Sequence, residues 1–316
     1  MNRRTGKRFT ALLAVLMIMA AGIGSAAADV VPLGMDMTVH GATPDPNGWN
    51  QDYTEYEDES IHAVLYQEAV WASGKGKTVC HWAEIEIKDP SQLRTTLSNE
   101  TYYDMIEGKS EVMFKDINAI CAINDDFVKS TKYRGYVMRQ GVFYADTLDD
   151  FEGGKNQDVL IIDDQGDFST VIRASSADMQ AHLEEMARQG RTPVNVITFG
   201  PTLIVNGEAL ELRYEDSIHS VHVPCARSAI AQIGPLKYVI VAIDGAASEE
   251  TGMKAFEVAN FILSKYPDCK IAYNLDGGGS SKLHFGKKLI NKAPGRRTIS
   301  GLIYFASAAA EKEGQE

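Results

Sequence analysis

The stretch from Asp276 to Ser281, DGGGSS, combines a carboxylate, three glycines in succession and two hydroxyls. Successive glycines lose much conformational entropy on folding, so such a run favours a place where another group must approach the backbone closely. The N–H groups of Gly277 to Gly279 could surround an anionic oxygen, most naturally that of a phosphate, and Ser280 or Ser281 would add a hydroxyl donor. A tight turn without a ligand is the structural alternative, although one or two glycines usually suffice for it.

Carboxylates follow three apolar, strand-like runs. The run INAICAIN ends at Asn124 and precedes Asp125 and Asp126, YVIVAI precedes Asp244, and IAYNL precedes Asp276. If these strands are neighbours in one sheet, their carboxyl ends share one crevice, where open α/β sheets bind ligands. Neighbouring carboxylates can differ in pKa, so that one donates a proton while another stays ionised, as cleavage of a glycosidic bond requires. Each aspartate taken alone is more typical of a turn or a cap.

Positive charge for an anionic ligand could come from arginine, whose planar guanidinium binds phosphates and carboxylates through two hydrogen bonds. The candidates are Arg227 in CARSAI and the pair Arg296 and Arg297 in PGRRTI, for which a solvated loop is the alternative. The whole chain is acidic, with a net charge of −12. We therefore expect neither nucleic acid nor an anionic membrane surface as a partner.

The sequence motifs of several other common active sites are not present with the required spacing. GGGSSK does not match the nucleoside-triphosphate loop, and the chain has no dinucleotide G-x-G-x-x-G, no G-x-S-x-G nucleophile elbow and no H-E-x-x-H zinc motif. The clustered aspartates could hold Ca²⁺ or Mg²⁺, because both ions prefer hard oxygen ligands. A divalent cation is therefore the one cofactor that the sequence suggests.

Residues 1–28 are typical of a secretory signal. Basic residues at positions 3, 4, 7 and 8 precede an apolar run from Ala11 to Ile23, and three alanines lead to a cleavage site before Asp29. The run is shorter than the roughly 20 residues that a membrane-spanning helix needs. We expect a secreted, extracytoplasmic bacterial protein whose mature form has no membrane span.

The four cysteines are too widely spread for a disulfide scaffold or a C-x-x-C metal site. Export would permit one or two disulfides, but the strand-like surroundings of three of them equally favour buried thiols. The sequence does not choose among the pairings of Cys80, Cys121, Cys225 and Cys269.

After the signal, residues 29–60 form an acidic arm without a sustained period, and residues 308–316 form a tail. Within residues 61–115 we expect a β-hairpin, IHAVLYQEAV and TVCHWAEIEI around Gly-Lys-Gly, followed by a helix in DPSQLRTTL. Residues 116–307 would form the catalytic region, with a helix in SSADMQAHLEEMARQG.

The helix expected in GMKAFEVANFILSKYPD lies between YVIVAID and IAYNLDGGG, which are apolar on both faces. This order predicts a strand, helix, strand unit whose two strands form a parallel, covered pair. The fold class that we predict is therefore α/β, or mixed α+β, with a central mixed sheet flanked by helices in a single large domain.

Several of these segments resemble the phosphodiester glycosidase family. They occur in the family's order and are AIN at 122–124, TFGPTLIVNGE at 198–208, ARSAI at 226–230, VAIDG at 241–245, NLDGGGSS at 274–281, and Asn291 followed by Arg297. The family includes the lysosomal enzyme that removes N-acetylglucosamine from mannose 6-phosphate tags and many exported bacterial proteins labelled exopolysaccharide-related. The resemblance implies cleavage of a sugar 1-phosphodiester at the anomeric C–O bond.

The resemblance also implies which residues form the site. Asp276 would be a catalytic carboxylate, with Asp244 or Asp126 as its partner; whether the partner is a nucleophile or a general base depends on a separation of about 5 Å or about 6.5–9.5 Å. Substrate would be bound by Asn124, Asp125, Gly200, Arg227, Ser228, Gly245, Gly277, Gly278, Gly279, Ser280, Asn291 and Arg297.

One residue departs from the family's pattern. Asp125 stands where the family usually has glycine after Asn124, whereas Asp126 matches the acidic position of the Asn-Gly-Asp form. Asp125 could narrow the pocket, alter specificity or abolish catalysis. Besides a glycosidase acting on a wall polymer or exopolysaccharide, two functions stay open: a metal-dependent phosphodiesterase that cleaves P–O, and a non-catalytic protein of glycan binding or envelope assembly.

Overall fold

Antiparallel β-sheet dominates the computed structural model, which describes residues 30–73, 76–98, 108–126, 135–150, 157–212, 221–245, 251–295 and 298–308. The strands of these residues are β1 (Glu55–Glu57), β2 (Ile61–Trp71), β3 (Lys77–Ile87), β4 (Leu93–Leu97), β5 (Ala119–Asn124), β6 (Tyr136–Arg139), β7 (Val142–Asp146), β8 (Gln157–Asp163), β9 (Phe168–Ala174), β10 (Pro193–Thr198), β11 (Thr202–Val205), β12 (Glu208–Ala209), β13 (Arg227–Gly234), β14 (Lys237–Ile243), β15 (Ile271–Leu275), β16 (Leu283–Phe285), β17 (Lys288–Leu289) and β18 (Gly301–Ala306). The α-helices are α1 (Ser110–Lys115), α2 (Ser176–Arg188) and α3 (Ala255–Lys265), and short 3₁₀ helices include Pro46–Gly48, Pro90–Gln92 and Gly278–Ser280.

The largest sheet has eight strands in the order β1-β2-β3-β14-β13-β15-β11-β12. The predicted hairpin is confirmed: β2 and β3 pair from Ile61 opposite Ile87 to Trp71 opposite Lys77. Strand β3 then pairs along its length with β14. The segment before residue 116 therefore supplies an integral part of the largest sheet.

The predicted parallel pair is wrong in one respect. Strands β14 and β15 run in the same direction, but β13 lies between them and pairs antiparallel with both. The helix expected between them is present as α3, which packs Val258, Ala259 and Ile262 on one face of the sheet. The connection through α3 thus leads from β14 to β15 past one intervening strand, β13, which forms a hairpin with β14.

Two five-stranded sheets complete the described structure, in the orders β7-β6-β10-β8-β9 and β17-β16-β5-β18-β4. Strand β5 belongs to the second of these, so the three apolar runs with carboxylates at their ends do not share one sheet. The predicted mixed fold is confirmed in part, because the described strands form three sheets and are not clearly flanked by helices. The fold is mixed but dominated by three sheets, with few helices among the described residues.

The helix predicted in DPSQLRTTL is also wrong. Asp89 does cap a helical turn, but the turn is the 3₁₀ helix Pro90–Gln92, after which β4 begins. Pairing of β4 with β18, from Leu93 opposite Phe305 to Leu97 opposite Gly301, determines the extended conformation. The β-branched residues at the centre of β4 suit a strand. The helix in SSADMQAHLEEMARQG is confirmed as α2, with Met179 and Met186 buried.

One apolar core holds the three sheets together. It includes Ile230 and Tyr273 from the largest sheet, Ile162 from the second and Ile123 and Leu283 from the third. Each fully buried side chain of this size stabilises the fold by about 1.5–3 kcal/mol. This packing brings the end of β5 against the end of β15, although the two strands belong to different sheets.

Among the described residues, no helix has both the length and the apolar character to cross a bilayer. The predicted signal, residues 1–28, lies outside the described residues. All four cysteines are described and none forms a disulfide with another described cysteine; Cys80, Cys121 and Cys269 are buried. The sequence left disulfides and buried thiols open as alternatives, and the structure contains thiols.

Candidate functional site

The ends of β5 and β15 are joined by two hydrogen bonds. Asn124 Nδ2 donates to the carbonyl of Asp276 over 2.7 Å, and the N–H of Asp276 donates to the carbonyl of Asp125 over 3.3 Å. Asp276 is only partly buried, whereas Asn124 and Asp125 are buried. The backbone of Asp276 is thus fixed from the neighbouring sheet, while the residue as a whole stays partly exposed.

Asn124 was expected to bind substrate, but its side chain bonds within the protein. Its Oδ1 accepts from Ser228 Oγ over 2.7 Å and from the N–H of Lys282 over 3.0 Å, and 1% of the residue is exposed. Ser228 is equally buried and lies 2.9 Å from Ser281 Oγ. Asn124 and Ser228 therefore position the aspartate and the glycine loop from beneath.

The glycine loop follows Asp276 and contains the 3₁₀ helix Gly278–Ser280. Of the three N–H groups predicted to hold an anion, that of Gly277 donates to Asp276 Oδ1 over 2.9 Å and that of Gly278 donates to the carbonyl of Ala226 over 2.8 Å. A ligand oxygen would have to replace these bonds or use the N–H of Gly279. The predicted cradle is therefore at most partly available.

Two glycines of the loop are required for different reasons. A Cβ on Gly277 would come within 2.8 Å of the carbonyl oxygen of Ala226, so close packing excludes a side chain. Gly278 has φ +58°, but a Cβ there would meet no atom within 4 Å and would point into open space. Ser280, the last residue of the 3₁₀ helix, is buried. Of these loop residues, Gly278 thus borders open space.

Arg227 begins β13, between the ends of β14 and β15. Its backbone lies opposite Ile243, and the next residue, Ser228, lies opposite Leu275. The guanidinium is buried, with Nε donating to the carbonyl of Met253 over 3.0 Å and Nη2 to that of Val223 over 2.8 Å. Burial lowers the pKa of Arg227 from its ordinary value. The side chain of Arg227 is therefore a buried, poorly hydrated cation that donates to two main-chain carbonyls.

Asp244, at the end of β14, interacts with a histidine that sequence reasoning did not select. Asp244 Oδ1 lies 3.1 Å from His81 Nε2 and accepts the N–H of Lys292 over 2.6 Å. His81 is 6% exposed, and its Nδ1 has no partner among the described residues. The sequence signal that could have identified His81 is its position as a lone histidine on the otherwise apolar face of β3.

Asp244 and Asp276 follow strands that are two positions apart in the sheet. Neighbouring strands lie about 4.8 Å apart, so their backbones are separated by about 10 Å. Both residues are only partly buried. The structure therefore brings these two predicted catalytic carboxylates to the same end of one sheet.

Asp126, the other candidate partner, lies in a buried ion cluster. Arg139 Nη2 donates to Asp126 Oδ1 over 2.7 Å and to Asp125 Oδ2 over 3.2 Å, and all three side chains are almost completely buried. The N–H of Thr198 donates to Asp126 Oδ2, and Ser300 Oγ lies 3.4 Å from Asp125 Oδ1. Asp125 therefore points into the interior, so its carboxylate cannot narrow a substrate pocket.

Two carboxylates and one guanidinium leave an excess negative charge in this cluster. Burial, and then the charge of Asp126, raise the pKa of Asp125 well above its usual range. Burial likewise raises the pKa of Asp126, against the opposing effect of Arg139. A pair with raised pKa values shares a proton at a pH where exposed aspartates are ionised. Arg139 was missed because nothing in YRGYVMRQG distinguishes it from a surface arginine.

The remaining predicted residues support the loops around the site. The carbonyl of Gly200 accepts from Asn274 Nδ2 over 2.8 Å, and a Cβ on Gly245 would come within 2.2 Å of the N atom of Ala226. Asn291 Oδ1 accepts the N–H of Leu283 over 2.8 Å. Arg297 lies outside the described residues.

Within the part of the chain that the structure describes, no group of three or more His, Cys, Asp or Glu side chains is arranged to hold a metal ion. The divalent cation therefore stays a prediction from the sequence.

The family comparison bears on residues 117–306, which contain both strand ends and the glycine loop. A family model described as "Phosphodiester glycosidase" matches this range. The chain belongs to the phosphodiester glycosidase family. The match covers more than half of the chain, and the resemblance inferred from the motifs is thereby confirmed.

A solved structure shares the fold of this phosphodiester glycosidase family member. The catalytic domain of zebrafish N-acetylglucosamine-1-phosphodiester alpha-N-acetylglucosaminidase, auto-inhibited by its pro-peptide, is 18% identical, with a TM-score of 0.60 over 84% of this chain and 86% of that one. A hypothetical protein from Synechocystis is 17% identical, with a TM-score of 0.47 over 78% of this chain and 62% of that one.

A relative in sequence is the SPbeta prophage-derived uncharacterized protein YomE of Bacillus subtilis (strain 168). It is 26% identical over 216 residues, which are 68% of this chain. The chain spans about 30% of the length of that relative.

Proposed function

We propose that this protein is an exported bacterial hydrolase that cleaves the glycosidic C–O bond of a sugar 1-phosphodiester and releases a sugar and a phosphomonoester. The substrate class would be an N-acetylglucosamine-1-phosphodiester-like linkage in a cell-wall polymer or exopolysaccharide. Family membership supports the reaction type. The observation that carries the proposal is Asp276, a partly exposed aspartate whose backbone is fixed by Asn124 and Asp125 beside a glycine loop.

Asp276 and Asp244 are the carboxylates that we assign to the reaction. They follow strands of one sheet, and His81 fixes the orientation of Asp244. One of them would protonate the leaving phosphate oxygen, while the other would stabilise the cationic sugar or activate water. Asp126 is a positioning residue in this proposal, because its buried bonds to Arg139 and Thr198 keep it from substrate.

The phosphate would lie over the open side of the glycine loop. In this proposal the N–H of Gly279 and the hydroxyl of the buried Ser280 would donate to it, and the buried charge of Arg227 would favour an anion there. Gly278 leaves the space unobstructed, because a Cβ at that position would point into it. The predicted Arg297 would add a second guanidinium.

Hydrolysis in ¹⁸O-labelled water tests the bond that is cleaved. Label in the released sugar is expected, since water then attacks the anomeric carbon. Label in the phosphomonoester would refute the glycosidase and support a phosphodiesterase that cleaves P–O. Asp276→Asn should abolish turnover of a chromogenic N-acetylglucosamine 1-phosphodiester, whereas Asp268→Asn, an exposed aspartate after α3, should be fully active. Tight binding without turnover in the wild type would instead support the non-catalytic alternative.

A further inference from the structure

A cavity of about 500 Å³ lies between the N-terminal arm, α1 and the β16–β17 hairpin. Its wall includes the rings of Trp49, Tyr53, Phe114 and His284, together with the carboxylate of Glu111. Ligand pockets of proteins typically measure about 300–1,000 Å³ and combine apolar rings with a few polar groups. The size and lining of this cavity therefore suit a small organic ligand.

The cavity is separate from the candidate active site. Ala119, at the start of β5, and Gly286, after β16, belong to its wall, whereas Asn124 at the other end of β5 contacts Asp276. Five strand residues span about 17 Å. A ligand in the cavity would thus be either a second molecule or a distant part of a long substrate.

His284 contributes a polar atom that lacks a partner. Its ring stacks on Phe114, with centroids 4.8 Å apart and planes at 16°, and 2% of the residue is exposed. Its Nε2 has no hydrogen-bond partner in the described structure. Burial lowers the pKa of His284 to about 4, so the ring is neutral at neutral pH. A buried polar atom without a partner is costly, and a ligand hydroxyl would satisfy it.

Tyr53 has a backbone conformation that its residue type disfavours. It has φ 57°, in the left-handed region, and is 41% exposed. Glycine or asparagine would adopt this conformation at lower cost. Because the tyrosine is exposed, packing in the core does not account for its presence at this position. The ring lies 5.6 Å from that of Trp49, with the planes at 31°. The turn after Asn50, in which the N–H of Tyr53 donates to the carbonyl of Asn50 over 3.2 Å, holds this conformation and places Tyr53 in the cavity wall. A disfavoured residue type held at a cavity wall points to a functional use of the side chain.

We propose that this cavity binds a pyranose ring of a glycan chain, which stacks on Tyr53 and Trp49 and hydrogen-bonds to His284 Nε2. A pyranose has an apolar C–H face and a polar rim, so one ring can cover the aromatic side chains while its hydroxyls reach the imidazole and Glu111. The choice of a glycan rests on the proposed function, in which the cavity would hold a non-reacting sugar of the polymer.

The experiment measures binding apart from catalysis. The mature chain carrying Asp276→Asn is titrated with the β-1,4-linked tetrasaccharide of N-acetylglucosamine, followed by calorimetry and by tryptophan fluorescence. We expect saturable binding that Tyr53→Ala and His284→Phe each weaken at least tenfold. His284→Phe keeps an aromatic ring beside Phe114 and removes both ring nitrogens. Tyr66→Ala, at a similarly exposed tyrosine on β2, serves as the matched control and should bind normally.

A second variant separates binding from folding. Tyr53→Gly relieves the left-handed strain, so it should unfold at no lower temperature than the wild type and still lose binding. In a chain with Asp276 intact, Tyr53→Ala should hydrolyse a small chromogenic substrate at the normal rate, which distinguishes failure of this site from failure of the proposed reaction. Absence of saturable binding, or binding that survives both Tyr53→Ala and His284→Phe, would overturn the proposal.

Discussion

Gly278→Ala tests whether glycine is needed at this position for its backbone conformation or because a side chain would occupy space that substrate uses. Gly278 has φ +58°, and a Cβ there would meet no atom within 4 Å. Alanine in the left-handed region costs about 1–2 kcal/mol. The smaller entropy of the unfolded alanine chain offsets about 0.4–1 kcal/mol of this cost. We therefore expect the free energy of unfolding to fall by about 1 kcal/mol, while kcat/KM falls far more because the methyl group occupies the open side of the loop beside Asp276.

Gly190→Ala is the matched control. Gly190 follows α2 and has φ +71°, and a Cβ at this position would likewise meet no atom within 4 Å, so its conformational cost is the same. Both variants should show the same small shift in a urea titration, and only Gly278→Ala should lose activity on a sugar 1-phosphodiester. Normal kcat/KM in Gly278→Ala would refute the assignment of this space to substrate. A much larger stability loss than in Gly190→Ala would show that the loop is structural.

Three further predictions concern the buried polar contacts. Burial raises the folded-state pKa of Asp125 above its unfolded value, so the folded state binds more protons. The free energy of unfolding should therefore fall as the pH rises from about 4 through the folded pKa. Asp125→Asn should flatten this dependence in thermal melts from pH 4 to 9. Arg139→Met leaves two buried carboxylates unpaired and should cost about 3–5 kcal/mol in urea unfolding, and a loss below 1 kcal/mol would contradict the buried cluster. His81→Ala should lower kcat about 100-fold through misplacement of Asp244, whereas His81→Gln, which keeps a donor, should recover part of it; equal activity of both with the wild type would exclude a positioning role.

The sequence predicted those elements whose signal is local. Alternation and a glycine turn identified the β2–β3 hairpin, and a helical period between caps identified α2 and α3. The pairing of strands is not a local property, and here the predictions failed. The apolar pattern of β14 and β15 shows that both are buried, but it does not show that β13 lies between them. Likewise, a helix was expected in DPSQLRTTL, where Asp89 does cap a helical turn, yet the distant β18 imposes a strand on β4.

In the candidate site, too, residues with a local sequence signal were predicted and residues defined by distant contacts were not. Asp276 and the glycine loop were recognisable because three successive glycines are unusual whatever the fold. Arg139 and His81 were not, because their importance arises from contacts with Asp126 and Asp244, which are distant in sequence. The role predicted for Asn124 was also incomplete, since a short motif identifies an important amide but not the direction in which it points.

The contact between His81 and Asp244 also bears on the extent of the catalytic unit. The family match begins at residue 117, but β3, residues 77–87, pairs with β14 along its length and supplies the histidine that contacts Asp244. Strand β4 pairs with β18 in the same manner. A chain that begins at residue 116 would expose the edges of β14 and β18 and leave Asp244 without this partner. The segment that carries the family motifs therefore depends on the preceding strands for both its sheets and the geometry of its site.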